Sequence, residues 1–436
     1  MKKLFREHKL ILVVFVTALF LRICMIFVGY HGDLNNNISW GLLSLERGLR
    51  GFYESGNWPF SAPNQPPLTI LLFYAISYLW KIITDLVWFL NNNIGIFPSP
   101  FVWFWGKWGM IILIKLPSLL ADLGIGWVIY RFLKDGLLEK SHNKKSVMLL
   151  TILWLFNPIS WYNSSVWGQT DPIVNLLGLA AIFSLLNKKL TKFGVLFTLS
   201  LLFKGSLAIF VPFLFLVALL QKYSLKVWLN TFIYASFTVV LVSLWFHPGI
   251  DLFSWLFNLY STRFIPGEIG YLTANAFNFW WLINPGKYLD SNVFMRVPYR
   301  IWGVLIFVVS TILVSYKSFR NTTNANIVFS LAITAISAFL FMTRIHERYM
   351  YPFFPVATIL LLYYPKLIYI YAILSATFLL NMFNLFWIPE LPLIRSLLET
   401  EFVPKVLSVV NLLAFVGLLW YFLSKTNITR KLLKKN

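Results

Sequence analysis

Charged residues are scarce in this chain: they make up 12% of its 436 residues, against about 25% in an average soluble domain. Acidic side chains are the scarcest, with 16 Asp and Glu against 37 Lys and Arg. The single cysteine, Cys24, excludes an intrachain disulfide and a cysteine-based metal site. The composition therefore excludes a soluble globular domain and a small disulfide-stabilised one.

Apolar residues are abundant instead: 58% of the chain is hydrophobic, and the mean hydropathy is +0.72. These values predict an integral membrane protein with several spans. The net charge of +21 raises the alternative of a nucleic-acid partner. However, the basic residues cluster between apolar runs, as cytoplasmic loops require, so we expect no nucleic-acid partner and contacts with membrane lipids instead.

Apolar runs predict an all-α fold with about twelve transmembrane helices, since a span needs about 20 apolar residues. The first run is too long for a signal-peptide core and lacks a small-x-small cleavage site, so we expect a retained span. The predicted spans are 10–29, 110–131, 147–162, 172–187, 193–204, 206–221, 227–246, 301–316, 325–343, 353–365, 367–388 and 404–423.

One further apolar run, 67–90, decides the topology. If it lies on the membrane surface, the short basic loops all fall on the cytoplasmic side, as the positive-inside rule demands. We therefore expect both termini in the cytoplasm of a prokaryotic plasma membrane, and one membrane domain over 1–436. The predicted segments are a first outer loop 30–109 with a surface helix 67–90, spans in 110–246, a second outer loop 247–300, spans in 301–423 and a cytoplasmic tail 424–436.

The predicted outer loops and turns hold most of the notable polar residues. Asp33 directly follows the first span; it either solvates a helix end or takes a proton from a substrate hydroxyl. With one imidazole beside one carboxylate, "HGD" makes a poor metal site, so we expect no metal. The other candidates on this side are Gln169, Asp171, Lys204, Arg263, Glu268, Trp280, Arg344, His346, Glu347 and Arg348.

These candidates combine a carboxylate that can activate a hydroxyl with cations that suit a lipid phosphate. That combination fits transfer of a sugar from a lipid-phosphate carrier. Within a span, Lys115 and Asp122 are seven residues apart and share a helix face. For those two we prefer a structural role, because ionisable groups in spans usually face the bundle and pair.

The order of motifs resembles the GT-C glycosyltransferases, and most closely the dolichyl-phosphate-glucose-dependent glucosyltransferases of N-glycan assembly. The residues that carry the resemblance run in order from about 30 to 355. They are "GDLNNNISW", "PPLT" at Pro66–Thr69, Lys115 with Asp122, "NP" and "GQ" at Asn157 and Gly168, Lys204, Arg263 with "NAFNFWW", and "HER" at His346–Arg348.

The resemblance implies a GT-C-like inverting transferase that uses a polyprenyl-phosphate sugar without a cofactor. Asp33 would be the general base. Donor phosphate would contact Lys204, His346 and Arg348, with Arg344 and Arg263 as further candidates. The remaining polar candidates, Glu347, Gln169, Asp171, Glu268 and Trp280, would contact substrate.

The sequence departs from the GT-C pattern at two points, and two alternative functions remain. Neutral residues follow Asp33 where many relatives carry a second acid, which favours metal independence, and the shorter C-terminal region leaves the acceptor open. The acceptor could be a glycolipid, a lipid-linked glycan, a polymer or a protein. The same cations and aromatics would also suit a flippase or transporter of lipid-linked sugars, or a structural scaffold in an envelope complex.

Overall fold

A computed structural model of the chain describes residues 2–136, 144–264 and 269–433. Within these residues nearly all regular structure is helical, and eight helices are long and apolar enough to cross a membrane. This confirms the prediction of an all-α membrane protein with several spans. The eight stretches are Lys9–Ile26, Pro67–Asn93, Ser99–Lys134, Leu225–Ser243, Tyr299–Arg320, Asn324–Phe341, Pro365–Phe386 and Phe402–Ser424.

In chain order the helices are α1 (Lys2–Ile26), α2 (Asp33–Arg47), α3 (Pro67–Asn93), α4 (Ser99–Lys134), α5 (Lys144–Phe156), α6 (Pro158–Trp161), α7 (Asp171–Leu186), α8 (Leu190–Phe203), α9 (Val211–Leu220), α10 (Leu225–Ser243), α11 (Leu252–Leu259), α12 (Phe279–Ile283), α13 (Tyr299–Arg320), α14 (Asn324–Phe341), α15 (Phe353–Leu360), α16 (Ile368–Phe386), α17 (Pro392–Leu398) and α18 (Phe402–Leu433). Two π-helical turns cover Tyr162–Trp167 and Tyr260–Phe264.

Three predicted spans form shorter helices than expected. The run 206–221 divides into a 3₁₀ helix, Gly205–Phe210, and the ten residues of α9. The run 147–162 breaks after Phe156, because Pro158 disfavours helical geometry at the residue before it. The run 353–365 forms only the eight residues of α15, which is followed by turns up to Pro365. The total of twelve spans therefore stays a prediction.

Helices α3 and α4 are longer than a single crossing requires. Helix α4 has 36 residues, which is roughly 54 Å, and it begins inside the predicted first outer loop. A bilayer core is only about 30 Å thick, so part of α4 extends beyond it. Helix α3 has the length and composition of a span, and the surface position predicted for 67–90 stays a prediction.

A separate small core joins α2 and α3 to the segment after α10. Its buried side chains include Leu34, Trp40, Phe73 and Phe246. We call this part, residues 33–80 with 246–264, the α2–α3 layer. The two helices cross at Gly41, where a Cβ atom would lie 2.7 Å from the Phe73 carbonyl oxygen. Only glycine allows so close an approach, so a glycine is required where the two helices cross.

The main core of the bundle contains a buried ion pair. Arg22 in α1 donates to Asp122 in α4 at 3.0 Å, and both side chains are fully buried. Tyr351 and Ser164 also donate to the Asp122 carboxylate, at 2.9 Å and 3.1 Å. Asp122 therefore has the structural role we expected, although its partner is Arg22 rather than Lys115.

Short strands connect distant parts of the chain. Strand β1 (Thr273–Ala274) pairs in parallel with β4 (Ile345–His346), while β2 (Val293–Phe294) pairs antiparallel with β3 (Val297–Pro298). The first pair fixes the predicted second outer loop against the turn that carries His346.

Candidate functional site

Asp33 is the first residue of α2, immediately after the turn that follows α1. Its backbone N–H donates to Nδ1 of His31 at 3.0 Å, and its side chain is 38% exposed. Burial lowers the pKa of His31, and Arg348 lowers it further, against the opposite effects of Asp33 and Glu347. The imidazole is therefore neutral at pH 7, with Nδ1 free to accept this hydrogen bond.

Gln169 contacts the carboxylate of Asp33 directly. Its Nε2 donates to Asp33 Oδ2 at 2.6 Å. Gln169 follows Gly168, whose φ of +83° places it in the left-handed region. A Cβ on Gly168 would lie 2.9 Å from both Leu34 and Lys115, so glycine is required at this turn for conformation and for space. The prediction that Gln169 contacts substrate is untested; its observed contact is with Asp33.

Lys115 lies beneath this pair and is completely buried. Its ammonium donates to the carbonyl oxygens of Ile26, Gly29 and Val166, at 3.0, 2.8 and 2.9 Å. An ammonium has three N–H donors, so all of them are used. The Ile26 carbonyl ends α1, the Gly29 carbonyl lies in the turn before Asp33, and the Val166 carbonyl lies three residues before Gln169. Lys115 thus joins the two segments that carry the Asp33–Gln169 contact.

Lys204 and Asp171 form the second part of the site. The Lys204 ammonium lies 2.7 Å from Asp171 Oδ1, and both side chains are more than nine-tenths buried. The same ammonium lies 4.9 Å from the ring centre of Tyr349. Asp171 opens α7 and Lys204 follows α8, so this pair joins the ends of two helices.

Arg348 connects the two parts. Its guanidinium lies 2.6 Å from Glu347, 3.7 Å from Asp171 and 4.0 Å from Asp33. These carboxylates raise the pKa of Arg348 above its usual range despite its burial. Burial alone would raise the pKa of Glu347, but Arg348 and His346 outweigh it and lower that pKa to about 2. Both groups are therefore charged at every ordinary pH.

Three polar atoms at this junction are buried without a hydrogen-bond partner among the described residues. They are Asp171 Oδ2, Glu347 Oε2 and Arg348 Nε. Buried polar groups in native proteins are nearly always hydrogen-bonded to protein, water or ligand. The cluster formed by Asp33, Gln169, Asp171, Lys204, Glu347 and Arg348, which we call the Arg348 cluster, therefore has capacity to bind polar atoms of a ligand.

The segment 344–348 does not form a helical turn, so Arg344 and Arg348 do not share a helix face. It contains a strand and turns, and Arg344 has a positive φ of 62°. Arg344 consequently points away from Arg348 and lies 2.7 Å and 3.0 Å from the two carboxylate oxygens of Asp290. His346 stays near the cluster, with Nδ1 3.8 Å from Glu347.

Several predicted site residues lie elsewhere. Arg263 donates to the Tyr53 carbonyl at 2.9 Å and belongs to the α2–α3 layer. Trp280 is 1% exposed, and its Nε1 donates to the Phe341 carbonyl at 2.7 Å. Glu268 lies outside the described residues. Arg344, Arg263 and Trp280 are thus engaged in contacts between segments, and their predicted substrate contacts are not part of the observed cluster.

The described residues contain no group of three or more His, Cys, Asp or Glu side chains that could hold a metal ion. The expectation of metal independence stays a prediction. Sequence reasoning missed the partner of Arg344, Asp290, and also Trp167, whose ring centre lies 5.7 Å from the Arg348 guanidinium. Trp167 stands in "VWGQTD", two residues before Gln169, but an aromatic residue at the end of an apolar run is also typical of a membrane interface.

Comparison with known proteins adds no family assignment. Neither a scan against protein-family models nor a search of curated proteins finds a match to this chain. The resemblance to GT-C glycosyltransferases therefore stays a prediction from the residues themselves.

Proposed function

We propose that the protein is an inverting glycosyltransferase that moves a hexose from a polyprenyl-phosphate carrier to a hydroxyl acceptor at the membrane surface. The observation that carries the proposal is the position of one partly exposed carboxylate, Asp33, 4.0 Å from Arg348. Arg348 in turn lies 3.7 Å from Asp171, the partner of Lys204. A candidate base and two cations thus share one site beside apolar helices.

The cations of the site have donors to spare for a phosphate. Lys204 uses one of its three N–H groups on Asp171. Arg348 uses one nitrogen on Glu347, and its buried Nε, which lies 3.7 Å from Asp171, has no hydrogen-bond partner in the described part of the chain. Charge-assisted hydrogen bonds from Lys and Arg are the usual means of binding phosphate oxygens. Both cations can therefore contact a phosphate while their carboxylate partners keep them in place.

Asp33 is suited to the role of general base. Gln169 holds Oδ2 at 2.6 Å, which fixes the orientation of the carboxylate. No described residue donates a hydrogen bond to Oδ1, and the side chain is 38% exposed. An acceptor hydroxyl can therefore approach Oδ1 within hydrogen-bond distance, which a general base requires.

The reaction is a single displacement. The acceptor oxygen forms a bond to the anomeric carbon while its proton passes to Asp33. The bond between the anomeric carbon and the phosphate oxygen breaks, and its electron pair leaves with the phosphate. Lys204 and Arg348 stabilise the added negative charge on the leaving group. One displacement inverts the anomeric carbon, in contrast with enzymes that form a covalent glycosyl intermediate.

The test is reconstitution of the purified protein in proteoliposomes with a panel of polyprenyl-phosphate hexoses and candidate acceptors. Lipids and envelope glycans from cells with and without the gene indicate by mass spectrometry which acceptor to include. We expect transfer with inversion of the donor anomer, measured by NMR of the product. A product that retains the donor configuration would contradict the single displacement. Inactivity with every donor, tested with the acceptor that the gene-deleted cells indicate, would contradict the transferase proposal.

A further inference from the structure

A cavity lies far from the Arg348 cluster, at the opposite end of α2. Its volume is about 350 Å³, and its walls are Leu45, Leu49, Leu71, Tyr74 and Trp245, with Arg50 as their one charged neighbour in the described lining. Helix α2 has 15 residues, so its two ends are roughly 21 Å apart. We call this space the Arg50 cavity.

The backbone around the Arg50 cavity is held by a specific turn. Gly48 and Gly51 have φ values of +81° and +68°, and no atom lies within 4 Å of a Cβ placed on either residue. Glycine is therefore required here for conformation rather than for space. The Gly51 N–H donates to the Phe246 carbonyl at 3.0 Å, which fixes this turn to the segment after α10.

The guanidinium of Arg50 has no hydrogen-bond or ion-pair partner anywhere in the described chain. Its neighbours in the layer differ: Arg47 donates to the carbonyls of Gly56 and Asn57, and Arg263 donates to that of Tyr53. None of the described residues that line the cavity is acidic. An unpaired guanidinium beside hydrocarbon walls favours an anion that is attached to an apolar group.

The location of the cavity indicates which anion that is. Helix α10 is one of the eight candidate spans, and Phe237, Leu241 and Leu244 are exposed along its last turns. Trp245, which is 62% exposed, comes directly after α10 and lines the cavity. Tryptophan and tyrosine concentrate where membrane hydrocarbon meets headgroups. The cavity thus lies where the exposed apolar surface of a candidate span ends.

We propose that the Arg50 cavity binds a phosphate-headed lipid, with the phosphate on Arg50 and the first part of the chain against the leucines and Trp245. This binding involves no covalent step. It is independent of the proposed sugar transfer, and it remains testable if Asp33 has no catalytic role.

The test is site-specific photo-crosslinking of the full chain in maltoside detergent, which contains no phosphate. A photoreactive benzoylphenylalanine replaces Tyr74, and the probes are phosphatidic acid and diacylglycerol with identical chains. Peptide mapping then measures how much lipid is attached at position 74. We expect strong attachment of phosphatidic acid, and a reduction of about tenfold with R50Q, because hydrogen bonds to charged groups contribute about that factor.

The matched control is Lys81→Gln, an exposed position about 10 Å further along α3 from Tyr74, which should leave attachment unchanged. Equal attachment of the two lipids, or full attachment in R50Q, would overturn the proposal. Displacement by inorganic phosphate as effective as displacement by unlabelled phosphatidic acid would show that the ligand is a free anion, and would overturn the assignment to a lipid.

Discussion

Four cationic side chains have two distinct roles in this protein. Lys115 and Arg344 use their donors within the protein, on backbone carbonyls and on Asp290 respectively. Lys204 and Arg348 are each held by one close carboxylate and keep further donors available. The first two are positioned to hold segments together, and the second two are positioned to bind a ligand.

Replacing Lys115 should destabilise the protein strongly. Lys115→Met would leave the carbonyls of Ile26, Gly29 and Val166 buried without their common donor. We expect a loss of about 3 kcal/mol in the free energy of unfolding, because each buried unsatisfied group costs roughly 1–3 kcal/mol and relaxation recovers part of this. Thermal unfolding in detergent, followed by fluorescence, measures the change.

The control for Lys115 is on the same helix. Lys107 is exposed and lies 5.2 Å from the ring centre of Trp108, so Lys107→Met should leave the melting temperature nearly unchanged. Equal melting temperatures for the two variants would contradict the role assigned to Lys115.

Sequence reasoning reached some residues of the site and not others. Four residues of the site could be identified from the sequence, because each lies at the end of an apolar run and the ends of neighbouring spans meet. They are Asp33, Asp171, Lys204 and Arg348. Arg344 could not be separated from Arg348, because its partner Asp290 is 54 residues earlier and their contact depends on the folding of a long loop.

At the scale of helices, glycine and proline positions decide where elements end and how closely they approach. The break after Phe156 follows from Pro158, which was visible in the sequence. The crossing of α2 and α3 at Gly41 was not visible, because no local pattern indicates which helix packs against a glycine.

Adding one methyl group at this crossing should push α2 away from α3. In Gly41→Ala the new Cβ would lie 2.7 Å from the Phe73 carbonyl oxygen, a backbone atom that cannot turn aside. We expect a destabilisation of about 2 kcal/mol, as for other overpacked sites. Gly106→Ala in α4 is the control, since nothing lies within 4 Å of that Cβ. Urea unfolding measures the stability of the two variants. If Gly41→Ala were as stable as Gly106→Ala, the result would contradict the tight crossing.

At the scale of the whole molecule, composition was sufficient to predict a helical membrane protein, whereas the number of spans depends on α3. The length and hydropathy of α3 match a span, but the basic loops obey the positive-inside rule only if α3 does not cross the membrane. Composition cannot decide whether α3 crosses the membrane or lies on its surface, because a helix on a membrane surface is also apolar.

Cysteine labelling in intact cells decides the position of α3. In a Cys24→Ser background, Asn92→Cys should react with a membrane-impermeant maleimide from outside, because Asn92 is exposed near the end of α3. Asn187→Cys, between α7 and α8, should react only after permeabilisation. If Asn92 required permeabilisation and Asn187 reacted from outside, α3 would cross the membrane and the predicted topology would be wrong.

The central claim is that Asp33 acts as the base of a sugar transfer in the Arg348 cluster. Asp33→Asn keeps the shape of the side chain and removes its basicity. The control, Asp251→Asn, changes an exposed carboxylate of the predicted second outer loop that pairs with His247.

The measurement is the rate of hexose transfer from a polyprenyl-phosphate donor in proteoliposomes, together with donor binding. We predict a loss of about 100- to 10,000-fold for Asp33→Asn, with donor binding retained and Asp251→Asn fully active. A folded Asp33→Asn variant that transfers hexose at the rate of the unaltered protein would contradict the account.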